Sequence, residues 1–537
     1  MLIQLPNCVA FATVLLGAFA SGLTATLVSP ALTSGEISWI LQNARPRVII
    51  TATACLPAMR DALAEQDDKA YFSQIPLFTL DPATDAYPAR PTSAPPNDWS
   101  TLLTLSPSPL PTTPTFPPSS ARERTAVILW SSGTSGRSKG VLLSHHALNF
   151  SMASLWHDSD HYLGVPPRWL AYVPFYHVFG LCNILLVALC TGATVYTMSA
   201  FSLDAMLHAV RRRRITYLHM APPIAVMLAK APAVERFARR DINGRNAFSS
   251  VVGAVTGGAP LGHEVVVRVW DRCGFRIRLG YGLSETCSTS LQRGLSKGEM
   301  MAQAGDTGSP HWGIEVCVVS GDHDFSAGSG GEIKKAKTDE EGEILIRGGA
   351  LMSAYLPQGV FMAQEGDPGL DMSVTEQALT PDGWFRTGDV GAICPAGRLR
   401  ITDRLKELIK VRAYQVAPAE LEAVLCSSPD VGDAGVVGVY DEGEATEWPR
   451  AYVVPSAAIK ERLKGKADLD AFAEQIREYV EKRTARYKWL KGGIVFVEQI
   501  PKSPSGKILR RVLRDKKVGT EGYFVRLYEP RRVAARL

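Results

Sequence analysis

Residues 125–146 read TAVILWSSGTSGRSKGVLLSHH. Thr125 to Trp130 is a short apolar run of the kind that forms a buried strand, and a second apolar run follows Lys139. Between them lies a loop of glycines and small hydroxyl residues. Gly133 and Gly136 let the backbone turn tightly and approach a ligand. Successive N–H groups in such a loop form an anion-binding nest. Ser131, Ser132, Thr134 and Ser135 add hydroxyl donors, and Lys139 adds a point charge. The stretch reads as a polyphosphate-binding loop. A flexible linker would not normally stand between two strand-like runs, and a Walker loop is excluded because G-x-x-x-x-G-K-[ST] is absent.

The chain has 537 residues, enough for more than one domain. Its hydrophobic content of 46% and charged content of 21% are those of an ordinary globular protein. A net charge of +5 does not by itself imply a nucleic-acid partner, and the basic run Arg211 to Arg214 reads as the solvated end of a helix. Nine cysteines stand at irregular spacing with no C-x-x-C, which argues for reduced thiols and against a structural zinc site. Val9 to Val28 is uncharged and largely apolar. No Lys or Arg precedes it, and its small residues suit a helix packed inside a domain, so no stable membrane span is expected.

Beyond this segment, helices, strands and glycine-rich turns alternate to residue 290, which predicts an α/β domain with mostly parallel strands. Pro222-Pro223 reads as a break. Residues 80–120, rich in Pro, Ser and Thr, read as an extended excursion without its own core. Residues 305–350 carry short alternating strands and read as a smaller β subdomain, and 357–380 as a surface insertion. From Asp403 onward a compact basic segment follows. The expected fold class is α/β: a large multi-subdomain N-terminal domain of layered sheets and helices over 1–402, with a small mobile α+β domain over 403–537.

Five further strings carry chemistry. PFYHVFG contains His177 and Phe179. TGGAPLG, with Gly258 and Ala259, reads as a strand-to-helix turn. GYGLSET places Tyr281 between Gly280 and Gly282, where a flat ring can lie against a ligand, followed by Leu283, Ser284 and the carboxylate of Glu285. DGWFRTGDV puts Asp389 on a turn, and PKSPSGKILRR puts Lys507 after a small-residue loop. Mg²⁺ takes hard oxygen ligands, commonly one or two carboxylates plus substrate phosphates, and Glu285 fits that pattern.

Together with LPN near the start and DRLKELIKVRAYQVAPAELE at 403–422, these strings resemble the adenylate-forming superfamily, in its acyl-CoA synthetase and coumarate–CoA ligase-like branch. On that resemblance the family's opening segment is absent. The resemblance implies activation of a carboxylic acid with ATP to an acyl-AMP, then thioester formation with coenzyme A. It implies that the loop residues 131–136 and Lys139 hold phosphate, with Thr134 and Glu285 on Mg²⁺. Gly258, Ala259, Gly280, Tyr281 and Gly282 would hold adenine, and Ser284 the α-phosphate. Asp389 and Arg404 would hold ribose, while Lys406, Lys410 and Gln415 face the nucleotide. His177, Phe179, Asn183 and Leu283 would line the acyl pocket. Arg412 and Ala413 would border the coenzyme A tunnel, where Ala413 replaces the family's glycine. Asp403 would be the hinge, and Lys507 the catalytic cation of the first step alongside His177 and Glu285.

The alternatives are a luciferase-like acyl-AMP oxidase, which shares every motif, and a stand-alone adenylation enzyme that loads a carrier protein in trans. The last three residues, Ala535-Arg536-Leu537, match a relaxed peroxisomal signal. They predict peroxisomal delivery through an import receptor, with the cytoplasm as the other location.

Overall fold

The computed structural model describes residues 1–82, 97–103, 115–131, 138–158, 165–320, 334–357, 372–405, 407–412, 414–441, 444, 446–503, 506–515 and 522–528. Ser132, Gly133, Thr134, Ser135, Gly136, Lys406, Ala413 and the Ala535-Arg536-Leu537 terminus lie outside these, as do much of the 80–120 excursion and of the 357–380 insertion.

Two seven-stranded sheets form the large part of the chain. The first contains β1 (Leu2–Gln4), β2 (Ala25–Leu27), β3 (Ile49–Ala52), β4 (Leu77–Leu80), β5 (Thr125–Ser131) and β6 (Lys139–Ser144), with an edge strand from later in the chain. β1 to β5 run parallel, as the alternating pattern predicts, whereas β5 and β6 form an antiparallel hairpin whose last pair is Ser131 opposite Lys139. The polyphosphate-loop stretch is therefore anchored on both sides by one hairpin.

The second sheet contains β7 (Arg168–Ala171), β8 (Thr194–Thr197), β9 (Tyr217–Met220), β10 (Gly253–Thr256), β11 (Ile277–Leu283), β12 (Cys287–Leu291) and β13 (Ser309–Pro310). Its order β13-β12-β11-β10-β9-β7-β8 is parallel from β11 to β8 and antiparallel at the other end. A four-stranded antiparallel sheet follows, β14 (Ile314–Val319), β15 (Gly342–Gly348), β17 (Phe385–Ile393) and β18 (Leu399–Arg404), while β16 (Ala354–Tyr355) returns to pair with β6. The small part of the chain holds the hairpin β19 (Ile409–Val411) and β20 (Tyr414–Val416), and a sheet of β21 (Val431–Asp441), β22 (Thr446–Pro455), β23 (Ile494–Phe496) and β24 (Tyr523–Val525). It builds its own apolar core around residues such as Leu421, Val436, Phe472 and Ile494.

One sequence expectation is corrected. Pro222 and Pro223 do not break the chain but open the helix Pro222–Lys230, where a first-turn proline loses no hydrogen bond. In the 80–120 excursion, Trp99 is buried against the main core. The N-terminal apolar segment forms the helix Val9–Ala20, which buries one face through Phe11, Val14, Leu15 and Ala18 while Val9 and Leu16 stay exposed. Among the described residues no helix is long and apolar enough to cross a membrane. The arginine run behaves as expected, closing the helix Leu203–Arg213 in solvent.

Asn7 of the LPN string has a structural role that the sequence did not reveal. Its buried side-chain amide donates to Ala171 O at 3.1 Å and Val173 O at 2.8 Å, and accepts from Phe175 N at 2.8 Å. It thus fixes the path of the chain just before His177. Asn7→Ala would leave buried backbone groups unpaired, so a loss of about 1–3 kcal/mol is expected in denaturant unfolding. An unchanged unfolding midpoint would count against this role.

Candidate active site

Glu285 stands where the two large sheets meet. β11 and β12 are joined by the tight turn Ser284–Thr286, with Leu283 paired to Cys287. Cys287 has a left-handed φ of 55°, the conformation that closes a three-residue hairpin loop. The turn is tied internally by Leu283 N to Thr286 Oγ1 at 3.2 Å. At its apex Glu285 is 9% exposed. Its Oε1 accepts from Ser131 Oγ at 3.3 Å, at the base of the loop, and from Tyr355 OH at 2.9 Å on β16. Its backbone oxygen accepts from Met352 N at 2.8 Å. The Lys139 ammonium lies 5.0 Å above the Tyr355 ring. Ser131, Lys139 and Glu285, distant in sequence, are thus brought to one place.

The aromatic and acidic motifs converge beside it. Thr256 and Leu279 are register partners between parallel β10 and β11, which sets the Gly258–Ala259 turn next to Gly280 and Tyr281. The Tyr281 hydroxyl donates to Asp389 Oδ2, and Arg404 Nε lies 3.3 Å from Asp389 Oδ1. Asp389 and Arg404 are themselves cross-strand partners on β17 and β18, so the pair is built into the register. Burial raises the Asp389 carboxyl above its ordinary range, against the opposing pull of Arg404 and the Tyr281 bond. Burial and the facing Asp389 carboxylate push the Tyr281 phenol up.

His177 caps the short helix Val178–Gly180, its Nδ1 accepting from Phe179 N at 3.2 Å. Burial, reinforced by the charge of Lys507, lowers its pKa to about 3. A neutral ring with Nδ1 accepting carries its proton on Nε2, so His177 offers a donor rather than a cation. The turn before it requires Gly180, where a Cβ would come within 2.0 Å of Pro174 O. The chain continues through a π-helical turn, Leu181–Leu186, in which Asn183 is partly exposed. Leu283 is buried.

Lys507 comes from the small part of the chain yet shares this charge system. Burial and Arg404 lower its pKa, while Glu285, Asp389 and Glu407 oppose that shift. Its loop is held by Lys507 N to Ser503 Oγ at 3.1 Å. Gly506, with φ 88°, lies against the chain before Pro222–Lys230; a Cβ there would meet Ala221 and Pro223 at 3.1 Å. Asp403 accepts from Arg404 N at 2.7 Å and from Ala419 N at 3.0 Å, so both carboxylate oxygens cap backbone at the junction. Lys410 and Gln415 are register partners on the exposed face of the β19–β20 hairpin, whose other face is mostly buried. Arg412 pairs with Glu444 at 2.7 Å. Among the described residues, no hydrogen bond found in the structure ties these three to the Tyr281–Asp389–Arg404 group.

Sequence reasoning missed several residues here. Tyr355 holds Glu285 but sits in no motif. Arg510 Nη2 donates to both carboxylate oxygens of Glu422, at 3.0 and 2.8 Å, and both residues lie inside strings already singled out. Lys230 ends its helix by donating to Cys426 O at 2.6 Å, Val431 O at 2.8 Å and Ser428 O at 3.2 Å, at and just past the end of the helix Pro418–Ser427. Arg268 adds a bond to Ser427 O at 3.1 Å.

The chain matches the AMP-binding enzyme family over residues 1–356 and the AMP-binding enzyme C-terminal domain over 420–507. It is 30% identical over 522 residues to 4-coumarate–CoA ligase 2 of Solanum tuberosum, covering 96% of this chain and 83% of that one. It is 33% identical to 4-coumarate–CoA ligase 3 of Arabidopsis thaliana, covering 96% and 82%. Among solved structures it resembles the amide bond synthetase McbA from Marinactinospora thermotolerans, with a TM-score of 0.73, 25% identity, and 96% and 88% of the two chains covered. The fold is also that of o-succinylbenzoate CoA synthetase from Bacillus subtilis, with a TM-score of 0.70, 23% identity, and 97% and 88% covered. The site and these matches define a class, the adenylate-forming enzymes that use ATP and coenzyme A. This chain belongs to that AMP-binding family, as an AMP-forming acid–thiol ligase of the acyl-CoA synthetase type.

The clasp made by Lys230 holds the small domain where Lys507 enters the cluster. Lys230→Met should lower acid-dependent ATP–pyrophosphate exchange about tenfold or more, the equivalent of one to two lost charge-assisted hydrogen bonds. Thioester formation from supplied acyl-AMP should fall less. Equal losses in the two assays would contradict this placement.

Proposed function

We propose that the protein activates an aryl or other apolar carboxylic acid as its acyl-AMP and passes the acyl group to coenzyme A. The observation that carries this reading is the meeting of Lys507 with Glu285, Asp389 and Arg404 in one buried charge cluster. In the first step a substrate carboxylate oxygen bonds to the α-phosphorus of ATP, and the bond from that phosphorus to the pyrophosphate oxygen breaks. Negative charge accumulates on the phosphoryl oxygens, and the Lys507 ammonium offsets it there. In the second step the coenzyme A thiol loses its proton, attacks the acyl carbonyl and expels AMP.

Asp389 and Arg404 would take the ribose hydroxyls, Tyr281 the adenine face, and Ser131, Lys139 and Ser284 the phosphates. His177, with its Nε2–H directed onward, would orient the reacting groups beside Phe179. Glu285 has one carboxylate oxygen occupied by Ser131 and Tyr355, leaving hard-oxygen capacity that fits a magnesium ion. Among the described residues no three His, Cys, Asp or Glu side chains are grouped to hold a metal by themselves, so the ion would be shared with nucleotide phosphates. Its contribution would be charge neutralisation on those phosphates. A division at Asp403 into 1–402 and 403–537, with rotation between the steps, fits the two backbone caps this carboxylate makes. The relatives named 4-coumarate–CoA ligase support an aromatic acid. The likeness to an amide bond synthetase supports including an amine acceptor in the assay.

Acid-dependent ATP–pyrophosphate exchange over a panel of aryl and aliphatic acids tests the reading. Exchange restricted to one acid class and reduced at least about 100-fold in Lys507→Ala is expected. Because the Lys507 pKa is lowered, protonated enzyme is lost on raising pH sooner than for an ordinary lysine, so kcat/KM for ATP should decline below the usual lysine range. Acyl-CoA as the product with coenzyme A present is expected. Light or oxidised product in oxygen, or acyl transfer only to a carrier protein or amine, would replace the thioester step. Retained exchange in Lys507→Ala would remove the role assigned to it.

Peroxisomal delivery remains part of this proposal. A fluorescent fusion ending in Ala535-Arg536-Leu537 should collect in peroxisomes and disperse when those residues are deleted; identical distributions would reject it.

A further inference from the structure

The end of the second sheet that lies away from the cleft gathers arginines from three separate segments. β7, β9, β10 and β11 run parallel, and the C-terminal ends of β10 and β11 lead to Gly258 and Tyr281, so their N-terminal ends lie on the opposite side. Exposed Arg168 opens β7, and its Nη1 donates to Arg213 O at 3.5 Å. Arg211 to Arg214, all exposed, close the helix that leads into β9. The segment before β10 comes to the same end, where Ser250 Oγ donates to Ile215 O and Val252 N to Thr216 O, each at 2.8 Å. Its loop, 239–246, adds exposed Arg239, Arg240 and Arg245, and Asn246 Nδ2 fastens it to Ala238 O and Cys273 O at 3.3 Å.

Ile242, in the middle of that loop, is 100% exposed. Asp241 Oδ1 accepts from Asn243 N and Arg245 N at 2.9 Å, and Arg240 Nη1 donates to Gly244 O at 2.9 Å. The loop's one carboxylate is therefore turned onto its own backbone, and these bonds fix the turn that presents Ile242. Asp204, at the start of the helix that the arginine run ends, is taken by Arg236. Among the described residues none of the arginines gathered at this end forms an ion pair. Leu189 is 54% exposed on the helix Val187–Thr191, which leads into β8, where Thr194 is the register partner of Arg168.

Cations in the last turn complement a helix dipole, which accounts for Arg211 to Arg213 and for no others. It gives no reason to keep an isoleucine wholly in water among arginines from other segments. A lipid interface accounts for both, because guanidinium groups pair with headgroup phosphates while an apolar side chain enters the acyl boundary. A nucleic acid would engage the arginines and leave Ile242 nothing to bury in. We propose that this end of the large domain docks on an anionic bilayer surface, with the arginines of the three segments on the headgroups and Ile242 inserted between them. The contact is peripheral and needs no spanning helix, and docking by this end leaves the cleft facing water.

The test sediments the full chain with vesicles of phosphatidylcholine, alone or with about 30% phosphatidylserine, whose charge attracts basic side chains. Anionic vesicles should retain the protein, and retention should fall steeply as ionic strength rises from about 0.1 M to about 0.5 M. Ile242→Ser should lower the partition coefficient about tenfold, the worth of one buried isoleucine side chain. Arg211→Gln, Arg212→Gln and Arg245→Gln combined should lower it about 100-fold, from roughly fivefold for each charge near the surface. Ile242→Trp should keep the retention, with tryptophan emission shifted to the blue on anionic vesicles. All of these side chains are exposed, so unfolding midpoints should match the wild type. Equal retention on neutral vesicles, no retention on either kind, or undiminished retention of Ile242→Ser or of the arginine variant would overturn the proposal. Binding to duplex RNA with none to vesicles would overturn it in favour of a nucleic-acid partner. None of these readouts depends on the ligase activity.

Discussion

The carboxylate of Glu285 joins two sheets that otherwise have separate hydrogen-bond ladders. It projects from a hairpin turn of the second sheet and is held by Ser131 and Tyr355 of the first. A charge so nearly removed from water is tolerated only when it is hydrogen-bonded or paired, and here the partners come from strands far apart in sequence. The turn that presents it includes a non-glycine residue, Cys287, in the left-handed region. Such a conformation costs of order 1–3 kcal/mol and persists only where the surroundings enforce it. The hairpin register, the Thr286 hydroxyl and the Met352 N–H to Glu285 O bond supply that enforcement.

Around this anchor the charges balance in a way no single motif achieves. Asp389 and Arg404 are partnered by strand register, and Lys507 is brought to them by contacts remote from the chemistry. Burial shifts Lys507 toward its neutral form while three carboxylates resist. The protein thus holds a cation whose ionisation is sensitive to what enters the cleft. A polyanionic nucleotide would add to the carboxylates' side of that balance and favour the charged lysine when it is needed.

Much of this was legible in the sequence. The two strands β5 and β6 followed from two apolar runs flanking a glycine-rich loop, though not their antiparallel pairing, and the solvated end of the helix Leu203–Arg213 followed from its arginine run. The Tyr281, Glu285, Asp389 and Lys507 strings stood out through their joint resemblance to the adenylate-forming superfamily rather than singly. What was hidden depended on tertiary proximity. Asn7 carried no signal beyond its place in the LPN string, and only folding places it against the carbonyls of residues 171 and 173. Tyr355 lies between strings and acquires meaning through β16 pairing with β6. Pro222 and Pro223 were misread because a proline pair signals equally a break and a helix start, and only the flanking packing decides between them.

Gly506 gives the Lys507 loop a contact face without a side chain. Against Ala221 and Pro223 it offers backbone alone, where a Cβ would come within 3.1 Å of both. Separation there requires no repacking of a core, and return requires no search for a matching set of side-chain conformations. The lasting grip is left to the polar bonds of Lys230 and Arg268, which water can replace one at a time. If the small domain rotates between the two steps, as proposed, the contact that must break at Gly506 carries no side chain of its own.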